Sequence, residues 1–414
     1  MRGRRSTAFQ RFEAADLPTE SAEEWRYSRV EGLELSRYRP SAVPPEAPLH
    51  LPAEVTSLLA DAIGTVIVTH DGWTAELPAL PSGVELDDLS VEDSDVIGSI
   101  SGEPDPFVAL NAALAPSPLR LRVGPRTVVD APIVIVHVQT GAGTATFPRT
   151  VVELGSQAEA TVLEIMAVAD GATGDTLTVP VTELDVADAA NLRYVHVQLL
   201  RTGDWQIALQ ASRVARDATL TSTAVALGGH YARLRTDSAL IGQGGTTRLL
   251  AAYFGAGEQM HDFRTVQDHR APKASSDLVY KGAVANRSRS VYTGLIRVEK
   301  GAAGTNALQT NRNLVLHEGA HAESVPNLEI EDNDVRCSHA SAVGPIAEDQ
   351  RFYLESRGVP SDVAERLIAL GFLDEIFVTL PVAGTGAWLR AAVAAKLDAA
   401  EEVEAGLAGT GADR

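Results

Sequence analysis

Over roughly 200 residues, from about 116 to 343, apolar residues almost never recur at the three-to-four-residue spacing of a helix. Short runs of Val, Ile, Leu and Thr fill the stretch instead. Examples are Ile133-Val134-Ile135-Val136, Val151-Val152-Glu153-Leu154, Leu192-Arg193-Tyr194-Val195-His196-Val197 and Asn313-Leu314-Val315-Leu316. Each lies between corners of Gly, Asp, Asn or Ala. β-Branched runs between turn-forming residues are strand signals, and there are more here than one ordinary sheet holds. The corners repeat weakly. Lys281-Gly282-Ala283, Lys300-Gly301-Ala302 and Glu318-Gly319-Ala320 share a pattern, with glycines 19 and then 18 residues apart. Upstream, Leu154-Gly155-Ser156-Gln157-Ala158, Val186-Ala187-Asp188-Ala189 and Val214-Ala215-Arg216-Asp217-Ala218 are related. Strand, corner and strand at a near-constant period predict the stacked rungs of a β-solenoid. A two-sheet sandwich is the alternative that the same signals allow.

The flanks read differently. Residues 1–115 are mixed and mostly helical. Ser21 is a candidate cap for a helix with Glu23 and Glu24 in its first turn, just before Trp25-Arg26-Tyr27. Leu58, Leu59 and Ile63 share a helical face after the Pro-rich stretch from Pro40 to Pro52. Residues 344–414 are helical. One helix over Glu348 to Arg357 stops at Gly358, a residue suited to the left-handed position after a helix. A second opens at Ser361-Asp362, carries Val363, Leu367 and Leu370 on one face, and closes at Gly371. A third spans about Ala387 to Ala405, and the tail from Ala408 to Arg414 is expected to fray. A helical tail in this place either caps the open end of a solenoid or docks a partner.

Charge and cysteine content narrow the function. With 35 Lys and Arg against 55 Asp and Glu, the net charge is −20, which repels nucleic acid and anionic membrane. A protein partner or a cationic ligand fits better. No apolar stretch approaches the roughly 20 residues of a membrane-spanning helix. The N-terminus, Met1-Arg2-Gly3-Arg4-Arg5, is basic but lacks an apolar region behind it, so a cytoplasmic location is expected. Cys337 is the only cysteine, which excludes an internal disulfide and any set of three or four thiolates from this chain.

Several motifs imitate sites of known chemistry. His317-Glu318-Gly319-Ala320-His321 matches the zincin pattern, but that chemistry needs a helix to bring both imidazoles to one metal. Here a glycine interrupts it and the preceding Leu314-Val315-Leu316 is strand-like, so a solvated corner is expected. Gly384-Thr385-Gly386-Ala387-Trp388-Leu389 imitates a dinucleotide fingerprint but has Leu389 at the third glycine position and no βαβ unit to follow. There is no P-loop, hence no ATP site of that kind on this chain. Asp332-Asn333-Asp334 lacks the glycine and terminal glutamate of a calcium loop and reads as a turn. Cys337-Ser338-His339 is less easily dismissed. In an extended segment Cys337 and His339 point to the same side with Val335. They are then a small buried hydrophobe beside a hydrogen-bonded imidazole, half of a soft-metal site, or a nucleophilic dyad.

Four blocks together carry a resemblance: Gln309 to Leu316, Val325 to Ile330, Asp334 to His339 and Glu348 to Gly358. In order and spacing they closely resemble the SufB/SufD family of the SUF iron–sulfur assembly machinery, and Glu24-Trp25-Arg26-Tyr27 is similar to that family's N-terminal signature. Within the family the chain resembles the SufD branch, because no cysteine stands near Thr310-Asn311-Arg312-Asn313, where SufB proteins carry one. The resemblance implies a right-handed parallel β-helix over 116–343, flanked by helical parts over 1–115 and 344–414. It implies a non-catalytic scaffold that pairs with SufB through the β-helix ends and docks the ATPase SufC on its C-terminal helices. His339 is the implied contact to a transient iron–sulfur cluster shared with SufB, and Cys337 a weaker one. The implied SufC surface comprises Glu348, Asp349, Gln350, Phe352, Tyr353, Arg357 and Gly358, with the Ser361–Leu370 helix. Flavin binding is not given by the sequence. The competing readings are a β-solenoid carbohydrate-active enzyme, the metalloprotease, and a solenoid with no metal role. Aromatic residues at 5% disfavour a sugar-binding groove.

Overall fold

The structure is a computed structural model that describes residues 2–46, 49–61, 64–75, 77–89 and 96–411, without the side chains of 2, 88 and 405–411. Two parallel sheets wind around a common lumen in about eight turns, so the solenoid expectation is met and the sandwich is not. The first sheet stacks Leu119–Val123, Arg149–Leu154, Val181–Val186, Trp205–Val214, Tyr231–Leu240, Met260–His269, Arg289–Val298 and His321–Ile330. The second stacks Thr65–His70, Ile133–Gln139, Glu159–Val168, Asn191–Leu199, Thr219–Ala226, Thr246–Gly255, Ser275–Val284, Thr305–Val315 and Val335–Gly344. The second sheet thus begins well upstream of residue 116.

The repeat length differs from the one the glycine corners suggested. Val152 pairs with Leu184, Leu184 with Ser212, Ser212 with Ser238 and Ser238 with Gln267, so successive rungs lie 26 to 32 residues apart. A rung needs two strands and two turns. Gly301 and Gly319 stand at its two successive turns, which gives a spacing near half a rung, whereas Gly282 lies within a strand. The upstream corners are turns of the solenoid, as expected. Gln157, Ala189 and Asp217 adopt φ of 61°, 58° and 55°, and their N–H groups donate to Asp188, Arg216 and Gln243 on the following rungs.

Side chains alternate between the lumen and the outer faces. Both outer faces are covered, which explains why strands such as Ile133–Gln139 are buried throughout. The N-terminal part lies on the first sheet. Trp25, Val30, Tyr38, Phe107 and Leu110 pack there against Leu177, Trp205, Ile207 and Tyr231. Ser21 caps nothing, because Glu23–Trp25 is a single 3₁₀ turn without a side-chain cap. Helices Arg2–Ala14, Ala53–Leu58 and Pro106–Leu114 complete this part, and Ile63 lies outside the described residues.

The C-terminal helices cover the outer face of the second sheet. Leu373, Ile376, Phe377, Leu389, Val393 and Leu397 pack against Val195, Val197, Val225, Leu250 and Phe254. The tail therefore lies along the solenoid's side and does not cap its end. Helix Ser361–Phe377 runs straight through Gly371, because burial of Leu373, Ile376 and Phe377 outweighs the roughly 1 kcal/mol a mid-helix glycine costs. Its buried face also differs from the one expected, since Val363 and Leu367 are exposed. Helix Thr385–Gly411 extends past the point where fraying was expected, and 412–414 lie outside the described residues.

Candidate functional site

The two ends of the solenoid are not alike. At its beginning, antiparallel strands close the sheets: Val84–Asp88 on Leu119–Val123, and Trp73–Thr74 on Thr65–His70. At its far end, His321–Ile330 and Val335–Gly344 are the last strands of their sheets, each with an unpaired edge among the described residues. The lumen-facing residues of this final rung have no rung above them. Leu328 and Ile330 stack on Ile296 and Val298. The lower pair is fully buried, whereas the upper pair is 40% and 42% exposed. Val343 is exposed as well.

Cys337 and His339 belong to this rung. Their registers, Cys337 on Ala307 and His339 on Gln309, keep both on one side of the strand, as the alternation predicted, and that side is the lumen. Their surroundings differ. Cys337 is half-buried and packs with Val335 against Ile296, Val298, Ala302 and Ala307. Burial pushes its thiol above the ordinary value, so it is a poor thiolate at neutral pH. His339 is exposed at the mouth, and its ring makes no hydrogen bond among the described residues. A dyad is excluded by this division of roles: the thiol faces an apolar wall and the ring faces solvent. Among the described residues no group of three or more His, Cys, Asp or Glu is placed to hold a metal ion.

The zincin-like segment forms a corner, as expected from its glycine. His317 sits in a corner, where its Nδ1 accepts from the Asn286 N–H at 2.8 Å and its Nε2 lies 3.4 Å from Glu401. His321 opens a strand and pairs with Glu323 at 2.8 Å. Gly319 between them admits no side chain, since a Cβ would stand 2.7 Å from the Asn286 carbonyl. The dinucleotide imitation fails as well, because the apolar run before Gly384 ends a helix rather than a strand. Asp332 does form a turn, accepting from the Asp334 N–H at 3.0 Å.

The second candidate surface is the C-terminal helix pair. Helix Glu348–Glu355 is followed by Gly358 at φ 83°, the left-handed stop that the sequence indicated. Phe352 and Tyr353 are 71% and 57% exposed, and the Arg357 guanidinium lies 5.0 Å from the Tyr353 ring centre. Glu348, Asp349 and Gln350 are exposed on the first turns. Arg351 ties this helix to Glu365 of the next at 3.0 Å, and Lys281 of the second sheet holds Glu375 at 2.5 Å. Val363 and Leu367 extend the exposed apolar surface. Sequence reasoning missed the apolar rim of Leu328, Ile330 and Val343. Its only signal was the alternation Leu328, Ile330 in a strand whose neighbour could not be known.

Comparison with known proteins now bears on this arrangement. The family model for the SUF system FeS cluster assembly SufBD core domain matches residues 137–372. An iron–sulfur cluster assembly SufBD family protein of Mycobacterium tuberculosis is 36% identical over 230 residues, 54% of this chain and 58% of that one. The chain thus spans less than two thirds of that relative. The iron–sulfur cluster assembly protein SufD of Escherichia coli is 30% identical over 375 residues, 87% of this chain and 84% of its own. The chloroplastic protein ABCI7 of Arabidopsis thaliana is 27% identical over 385 residues, 88% and 79% of the two chains. No helix among the described residues is long and apolar enough to cross a membrane. The core match, the solenoid it covers and the SufD relative aligned over most of both chains agree: this chain belongs to the SufB/SufD family of the SUF iron–sulfur cluster assembly system.

Proposed function

We propose that the chain is a SufD-like, non-catalytic scaffold subunit of a cytoplasmic SufB–SufC–SufD complex. The observation that carries this reading is the uncapped final rung, with its unpaired strand edges, apolar rim and exposed imidazole. An open solenoid end of this kind is an incomplete core, and a second solenoid presenting a similar end completes it. SufB is the partner of that kind in the family. Iron and sulfide are cargo at the junction. His339 offers an imidazole nitrogen ligand there, while SufB would supply thiolate, since this chain has none suited to the task. Cys337 is the weaker contact because its thiol resists ionisation.

SufC docks on the exposed face made by Glu348, Asp349, Gln350, Phe352, Tyr353, Arg357, Gly358 and the neighbouring helix. ATP binding to SufC moves that helix pair, and the Lys281–Glu375 tie passes the movement to the second sheet near the mouth. The differential affinity of ATP for two arrangements of SufC supplies the work.

Co-expression with SufB and SufC tests the reading. A stable complex is expected, and a chain that ignores both partners rejects it. Leu328→Asp should abolish SufB pairing while SufC binding persists. His339→Ala should lower cluster yield in an intact complex, and an unchanged yield removes His339 from the site.

A further inference from the structure

Directly beneath His339, in the same lumen-facing column, lies Gln309. The residue is 1% exposed, and the oxygen of its carboxamide has no hydrogen-bond partner. Buried amides are almost always paired, so an orphan of this kind asks for an explanation. The carboxamide reaches across the lumen to Gly294 on the opposite strand, where a Cβ would stand 2.1 Å from Nε2. Its nitrogen donates there to the Tyr292 hydroxyl, which also engages Thr265 at 3.0 Å, and its oxygen is left over. The Gln309 backbone lies one strand spacing, about 4.8 Å, below that of His339, and its amide forms part of the polar floor of the mouth.

His339 has the complementary deficit. Its ring is exposed and makes no hydrogen bond among the described residues. Once a partner covers the mouth, the ring loses water and both of its nitrogens need protein or cargo partners. A metal-binding imidazole almost always donates its other N–H to an oxygen acceptor, which fixes the tautomer and the ring orientation. In the column of His339 that acceptor is available in one place, the unused oxygen of Gln309.

We propose that Gln309 is the positioning residue for His339: in the covered mouth its Oε1 accepts the inner N–H of the imidazole, so that the other nitrogen faces the cargo. This rests on the scaffold reading for what the outer nitrogen does, but not for the contact itself. Gln309→Leu keeps the volume and deletes the amide. Gln309→Glu keeps an oxygen acceptor.

The test uses the assembled SufB–SufC–SufD complex. In its cluster-free form, with only this chain's histidines labelled with ¹⁵N, solid-state NMR should show a single tautomer for His339. Gln309→Leu should give a mixture, and Gln309→Glu should restore one form. In the cluster-forming assay Gln309→Leu should reduce yield about tenfold, the effect typical of losing such a supporting partner. The same change in a His339→Ala background should add nothing. An unaltered tautomer, or a loss that adds to that of His339→Ala, overturns the proposal. A purely structural role predicts a lower melting temperature for Gln309→Leu with the His339 tautomer unchanged, which also overturns the proposal. Should the tautomer respond while His339→Ala leaves the yield unchanged, the contact stands and the scaffold reading of His339 falls.

Discussion

The Nε2 of His137 donates to Oε1 of Glu164 at 2.9 Å inside the lumen, far from water. The same carboxylate accepts from Thr150 at 2.6 Å, Thr182 at 2.8 Å and the Tyr194 hydroxyl. Burial alone would raise the Glu164 pKa. The His137 hydrogen bond and charge, with His196 and Thr150, hold it at about 2 instead. Next to it, burial pushes the His196 imidazole down to about 4.

Acid lability follows from this pair. Unfolded His196 takes up a proton near its ordinary 6.5, the folded form only near 4, so stability falls as pH drops through that window. The Glu164 contribution is complete above 4.5 and is lost between 4.5 and about 2. Thermal melts from pH 7 to pH 3 should show a falling midpoint throughout. Glu164→Gln should be destabilised by about 3 kcal/mol at pH 7 and should flatten the lower part of the profile. A pH-independent wild-type midpoint would contradict this.

The Arg233 guanidinium lies 3.8 Å from the Trp25 ring centre and donates to the Glu24 carbonyl at 2.9 Å, while Arg264 donates to the Arg26 carbonyl at 2.6 Å. Both arginines share Asp262, which also accepts from Tyr231 at 2.6 Å. The N-terminal signature is thus a clasp on the first sheet. Trp25→Ala should destabilise by about 3 kcal/mol and Asp262→Asn by about 3–5 kcal/mol, measured by urea titration. Limited proteolysis of Trp25→Ala should cut the first forty residues first; equal resistance to the wild type refutes the clasp.

Lys396 of the last helix donates to the carbonyls of Leu227 and Phe254 and to Gln259, with no carboxylate partner among the described residues. Burial lowers its pKa to about 7. The unfolded lysine keeps its proton up to 10.5, so between pH 7 and 10.5 unfolding takes up a proton and stability rises with pH. Lys396→Met should lack that rise. Parallel profiles for the two proteins in chemical denaturation would show that Lys396 does not titrate there.

Gly282 faces the lumen, and a Cβ there would stand 1.9 Å from Cε2 of Tyr253 and 2.6 Å from Oδ1 of Asn313. Tyr253, Asn311 and Asn313 form one hydrogen-bonded group below the mouth. Gly282→Ala should cost about 3 kcal/mol through overpacking and should broaden the Tyr253 ring resonances. A neutral change in the unfolding midpoint would argue that the lumen yields there.

Much of the architecture was legible because solenoid strands obey local rules. The corners at Gln157, Ala189 and Asp217 follow from short polar or small residues between β-branched runs, and Gly358 stops its helix for a backbone reason. What failed was tertiary. Gly371 does not end its helix because Leu373 and Ile376 find a sheet to cover, and no local signal reports that sheet. The exposed face of Val363 and Leu367 looked like a core face for the same reason. At the mouth, the pairing of residue types could be read but not their exposure: Cys337 and His339 share one side of a strand, yet one meets Ala307 and the other meets solvent. Gln309 carried no signal as a site residue, since its meaning arises from a strand thirty positions later.

The clasp has a consequence for synthesis. The carbonyl of Arg26 is held by a guanidinium 238 positions downstream. At a ribosomal pace of about 5–20 residues per second, the first segment waits roughly 10–50 s for its seat to emerge. During that interval Trp25 is an exposed indole on a nascent chain, and a chaperone has its longest opportunity to attend to this polypeptide there.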